Sequence, residues 1–163
     1  DDGTFFHYNM SIDPSGTIFQ IGEDAVNANE ALLMDGFVTF DISTSLTSMG
    51  VTVERIIYAT VSIYREGYNG DAAKLGSLHV DHCITSDPTT VTAADIFTFA
   101  LPAESTWTAI PVTERLKADL KAARTYSSYR IYYNSPVVDS VYDLVKFHSE
   151  GNANPPHLDV WYL

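Results

Sequence analysis

Alternation with a period of two runs through most of the chain and predicts β-strands rather than helices. Within Asp35–Glu66, Val38, Phe40 and Ile42 fall on one side of an extended backbone, and Phe37, Thr39 and Asp41 on the other. Further along, Ile57, Ala59, Val61 and Ile63 alternate with Tyr58, Thr60, Ser62 and Tyr64, and a polar connection with one glycine joins the two patterns. One apolar row for a core and one polar or tyrosine row outside is how half-buried antiparallel strands read.

The same period recurs on both sides of this pair. Near the start, Phe6, Tyr8, Met10 and Ile12 oppose Phe5, His7, Asn9 and Ser11, and Asp13-Pro14-Ser15-Gly16 follows as a turn. Leu78, Val80, His82 and Ile84 oppose His79, Asp81 and Cys83; Tyr129, Ile131 and Tyr133 oppose Ser128, Arg130 and Tyr132; Leu158, Val160 and Tyr162 oppose His157, Asp159 and Trp161. Short strands are also expected at Thr17–Ile21, at Trp107–Val112, where Pro111 favours a sheet edge, and at Val141–His148, while Ala93–Phe99 fits a helical turn or a bent strand. Helical spacing appears over 113–124, with Leu116, Leu120 and Ala123 as a narrow apolar stripe, Thr113 as N-cap and the charges as a solvated face. The expected fold is all-β: an antiparallel, jelly-roll-like β-sandwich of about nine or ten strands with one short amphipathic surface helix. Residues 13–163 form a single domain, and 1–12 form an N-terminal strand.

Composition narrows the partners. The chain has 163 residues, 45% of them hydrophobic, enough for one core without disulfides. A net charge of −12 with no Lys/Arg run argues against nucleic acid, and no apolar run approaches the roughly 20 residues of a transmembrane segment. Cys83 is the only cysteine, so no intrachain disulfide forms. The chain starts Asp-Asp without a methionine, which reads as a mature end left after signal-peptide removal, and so as an extracellular or cell-surface protein.

No nucleophile elbow, phosphate loop, zincin helix or dinucleotide fingerprint is present, and the expectation is a non-enzyme. His79, Asp81 and Cys83 share one strand face but lack a marked fourth metal ligand. Asp139 and Asp143 are candidate ligands of a structural calcium, against the plain alternative of solvated loop acids; no other cofactor is implied. Asn9-Met10-Ser11 is an N-glycosylation sequon. Tyr58, Tyr64, Tyr68, Tyr132 and Trp161 mostly oppose the core rows, which suits stacking on sugars or contact with another protein.

The strings GFVTFDIS, IIYATVSIY, LGSLHVDH, WTAIPVTERLKADL, YRIYY and PPHLDVWYL, in this order, resemble the DNRLRE-type extracellular domain family and its carbohydrate-binding-module relatives. The resemblance covers about Thr17 to Leu163 and implies an exported β-sandwich, in some relatives binding polysaccharide. Met34 and Asp35 stand where an arginine often precedes the GF pair, and Pro111 where an aspartate often stands.

Two functions follow as expectations. The first is a structural subunit of a fibre or surface array, a homopolymer in which Phe6, Tyr8, Met10 and Ile12 complete the sheet edge of a neighbouring copy. The second is a carbohydrate-binding module of a secreted or cell-surface protein.

Overall fold

The computed structural model describes residues 2–6, 11–13, 18–27, 30–84, 90–134 and 141–163, with side chains described over 18–23, 33–71, 74–84, 90–134 and 141–163. The strands in order are β1 (Asp2–Phe6), β2 (Ser11–Asp13), β3 (Ile18–Asn27), β4 (Glu30–Asp41), β5 (Ile56–Asn69), β6 (Leu78–Cys83), β7 (Val91–Phe99), β8 (Trp107–Pro111), β9 (Tyr126–Tyr133), β10 (Asp143–His148) and β11 (His157–Tyr162). Two α-helices, α1 (Ser43–Ser48) and α2 (Thr113–Lys121), interrupt them.

Every recorded pairing is antiparallel, and the main path runs β11-β5-β10-β3-β4-β9-β6-β7. β5 belongs to two parts of this path. Its first half, Ile56–Tyr64, lies between β11 and β8 in a three-stranded sheet, and its second half runs beside β10 in the larger one. The curled sheet encloses one core in which Phe19, Ile21, Val38, Val61, Ile63 and Ile110 are buried together with Leu116 of α2. The all-β antiparallel class therefore holds.

Phe19 and Phe147 face each other across β3 and β10 and stack at 5.3 Å. Gly36 of β4 lies under this pair, where a Cβ would press into the Phe19 ring. Gly70, at φ +73°, ends β5 close against the backbone of Tyr142.

Several rows depart from strict alternation. Ala59, Val61 and Ile63 are fully buried as expected, but Ile57 is 58% exposed and Ile56 takes its place inside. A register slip opposite Trp161 and Tyr162 moves that end of the row by one residue. On β4, Phe37 and Thr39 are buried as well as Val38, and the Thr39 hydroxyl meets Ser128 Oγ at 3.1 Å across the β4–β9 pair. Val91–Phe99 is a strand and not a helical turn.

Helix α2 ends at Lys121, short of Arg124, because Ala123 adopts φ +53° and stops the helical hydrogen bonding. Thr113 does not cap its own helix: its hydroxyl accepts the Ala59 N–H at 2.9 Å and fastens the helix start to β5. The polar connection after β4 contains α1, with Leu46 buried. The Asp41 carboxylate accepts the Thr44 N–H and the Ser43 hydroxyl, both at 3.1 Å, and the Thr44 bond holds its pKa below the ordinary carboxylate value. A lowered folded pKa gives stability that is complete above the unfolded pKa and lost as pH falls through the folded value. Asp41→Asn is accordingly expected to weaken α1 at neutral pH and to flatten the acid limb of a stability–pH curve between those two values, read by chemical denaturation at each pH.

The N-terminal pattern, expected as one strand, is two in the single chain. β1 and β2 form an antiparallel pair, with Phe5 opposite Ile12, and β1 lies along β4 from Met34 to Val38. Tyr8, Asn9 and Met10 lie outside the described residues, as does Asp139; of Phe6 and Ile12 only the backbone is described. At the other end, the Leu163 N–H donates to the Arg55 carbonyl at 3.0 Å. No helix among the described residues is long and apolar enough to cross a membrane.

Candidate functional site

The three-stranded sheet presents a polar and aromatic outer face. Strand alternation with Ala59, Val61 and Ile63 inward leaves Tyr58, Thr60, Ser62 and Tyr64 outward on β5. Register then sets Trp161 beside Tyr58, Asp159 beside Thr60 and His157 beside Ser62 on β11, and Trp107 beside Tyr64 on β8. The central strand carries Thr60 and Ser62 between its two tyrosines, with Pro111 and Ala109 of β8 beside them, and the two hydroxyl residues form a floor that is 3% and 7% exposed.

Rings gather at the two ends of this face. At one end Tyr58 and Trp161 lie 5.4 Å apart, each about half exposed. At the other, Trp107 meets Tyr64 edge-on at 5.2 Å and His157 at 4.7 Å, and Tyr64 also packs on His148 at 4.7 Å. Tyr58 and Tyr64 are about 20 Å apart at about 3.3 Å per strand residue. Between the clusters, Asp159 Oδ2 accepts the Ser62 hydroxyl at 3.2 Å and lies 3.2 Å from His157 Nε2. The face therefore offers flat apolar rings at both ends and a held carboxylate, an imidazole and hydroxyls between them.

Of the aromatic residues singled out in the sequence, the fold brings Tyr58, Tyr64 and Trp161 to this face. Tyr68 lies past the point where β5 joins the larger sheet, under the Arg65 guanidinium at 5.4 Å. Tyr132, on β9, lies elsewhere, stacked on Arg130 at 4.7 Å. Trp107, His157 and Asp159 also belong to the face; the parity of Trp107, Ala109 and Pro111 against Ile110 is the sequence signal that marks Trp107 as outward.

Two polar clusters lie apart from the face. Asp81, fully buried, binds Arg130 Nη2 at 2.5 Å, the Tyr132 hydroxyl at 3.2 Å and the Asp95 N–H at 2.8 Å, while His79 Nδ1 lies 2.6 Å from Asp95 Oδ1. His79 and Asp81 thus both meet Asp95, Cys83 is buried, and no group of three or more His, Cys, Asp or Glu placed to hold a metal occurs among the described residues. The second cluster joins α2 to the sheet. His82 Nε2 is 2.8 Å from Asp119 Oδ2, Arg124 Nη1 is 2.6 Å from Asp119 Oδ1, and Thr92 Oγ1 is 2.6 Å from His82 Nδ1. The Thr92 hydroxyl donates to the His82 carbonyl at 3.0 Å, so the threonine holds both the ring and the backbone of the histidine. Burial raises the pKa of the neighbouring Tyr129 hydroxyl, keeping it neutral beside this cluster.

Asp143 is fully buried; its Oδ1 accepts the Asp71 N–H at 2.5 Å and its Oδ2 has no hydrogen-bond partner. Register places Glu23, also fully buried, directly opposite. Two carboxylates alone do not make a calcium site, which needs further oxygen ligands.

No family model matches the chain, and no curated protein matches it. The functional reading rests on the residues and their geometry.

Proposed function

We propose that this chain is a non-catalytic extracellular β-sandwich module that holds polysaccharide on the outer face of β11, β5 and β8. The observation that carries the reading is the pair of aromatic clusters, with Tyr58, Trp107 and Trp161 each 44–50% exposed, at the two ends of a polar floor. Exposed rings gain little by remaining in water and stack on the apolar faces of pyranoses, while Asp159, His157 and Ser62 match sugar hydroxyls. Two clusters about 20 Å apart favour an extended chain of sugars over a single one. The acidic balance of −12 suits a neutral or basic glycan better than an acidic one.

Retention on insoluble cellulose and chitin, with calorimetry on soluble oligosaccharides of both, tests this. Trp161→Ala and Trp107→Ala are each expected to weaken binding by about 2 kcal/mol, roughly thirtyfold, and together to abolish retention. Both rings are half exposed, so the thermal midpoint should stay within about 2 °C of the parent. Unchanged binding in the double variant, or no retention of the parent chain on either matrix, would overturn the assignment.

A further inference from the structure

A cleft of about 690 Å³ separates the end of β4 and α1 from β11, walled by Phe40, Leu46, Met49, Pro156, Leu158 and Val160. We infer that this cleft receives the N-terminal strand of a second copy of the chain, so that copies join head to tail. This goes beyond glycan binding and does not depend on it.

Three observations lead to a strand from a second copy as the occupant. Among the described residues β11 pairs with β5 alone, so its other side presents a strand edge toward the cleft. An uncovered edge is a template for another extended segment, and this one lacks the protection seen across the sheet, where β8 ends in Pro111 and runs into α2. The chain's own β1 already lies on the β4 edge that leads to the cleft. Its pairing stops with Asp2 opposite Val38, while β4 runs on to Asp41 beside the cleft. A strand from a second copy would use, in a shifted register, the β4 edge that β1 uses within the chain.

The N-terminal pattern supplies the matching surface. Folded back as β1 and β2, the segment covers only Met34–Val38 of β4. In the register of β1 a longer strand would run from Met34 back toward the part of β4 that β3 occupies, so the donated strand takes a register shifted by an even number of residues toward Asp41, which keeps Phe6, Tyr8, Met10 and Ile12 on the face of Val38 and Phe40 that the cleft walls would bury. The donor strand lies at one place on the chain and the cleft at another, so the contact is heterologous and generates an open filament.

Paired cysteines in the full chain test this directly. Cys83 is 1% exposed and stays out of exchange, whereas Met49, on the cleft wall, is 53% exposed and tolerates substitution. Oxidising a mixture of Met10→Cys and Met49→Cys chains is expected to give disulfide-linked dimers containing one of each, at least fivefold above a Met10→Cys and Glu104→Cys control mixture. A chain carrying both Met10→Cys and Met49→Cys should give a ladder of covalent multimers. Met49→Asp should abolish filaments by negative stain and leave the thermal midpoint in place. A doubly substituted chain that cross-links only within itself, mixed dimers no more abundant than the control, or filaments that persist in Met49→Asp would each overturn the inference.

Discussion

Asp119→Ala is expected to be among the most damaging single substitutions in this protein, lowering the free energy of unfolding by about 3–5 kcal/mol. Asp119 has no exposed surface, and one carboxylate serves two partners, Arg124 Nη1 at 2.6 Å and His82 Nε2 at 2.8 Å. His82 is itself 2% exposed and is anchored on its far side by Thr92. Removing the carboxylate strands a buried imidazole N–H and a partly buried guanidinium, and it opens a hole between α2 and the sheet. At about 2–4 °C per kcal/mol for a chain of this size, the thermal midpoint should fall by about 10 °C. Asp119→Asn keeps an acceptor for His82 and should recover part of the loss. Urea unfolding of the three proteins decides it, and a loss below about 1 kcal/mol in the alanine variant would show that the cluster is not what holds the helix.

Gly36→Ala is expected to destabilise by about 2–3 kcal/mol, at the upper end of overpacking effects. The added methyl enters the space of the Phe19 ring and approaches Ile21 Cδ1 at 3.1 Å. Phe19 has nowhere to retreat, since it is fully buried and stacked on Phe147. Phe19→Leu leaves room beside Gly36, so the double variant should be more stable than the sum of the single effects predicts, by about 1 kcal/mol or more. Additive losses in denaturant titrations would locate the strain elsewhere. This glycine opens the GFVTFDIS string, and its contact gives that string a packing reason independent of any family resemblance.

The class of fold was legible because period-two alternation survives wherever a strand has one wet face. Ala59, Val61 and Ile63, or Tyr129 and Ile131, needed no further information. Legibility failed where both faces are covered, as at Asp81, Phe37 and Ser128, because a polar residue paired across the sheet looks in sequence like one facing water. Asp119 is the clearest case. On a helix whose charges read as solvent-facing, its burial depends on His82 and Arg124, one of them far away in sequence. The aromatic face was half legible. Parity marked Tyr58, Tyr64 and Trp161 as outward, but only the pairing of β5 with both β8 and β11 brings Trp107, His157 and Asp159 beside them. The cleft was not legible at all, since it is bounded by the edges of strands and not by any pattern within them.

Strand β5 has one further consequence, for the order in which the protein is made. Ser62 and Asp159, neighbours across the face, are 97 residues apart in the chain. Contacts of such separation form only after large losses of loop entropy, and proteins dominated by them fold in milliseconds to seconds. The aromatic face should therefore be one of the last surfaces to mature, and until β11 arrives the Tyr58 side of β5 is an uncovered edge on a growing chain. Slow refolding at high concentration would be limited by aggregation through that edge, which a chaperone that binds extended apolar strands would suppress.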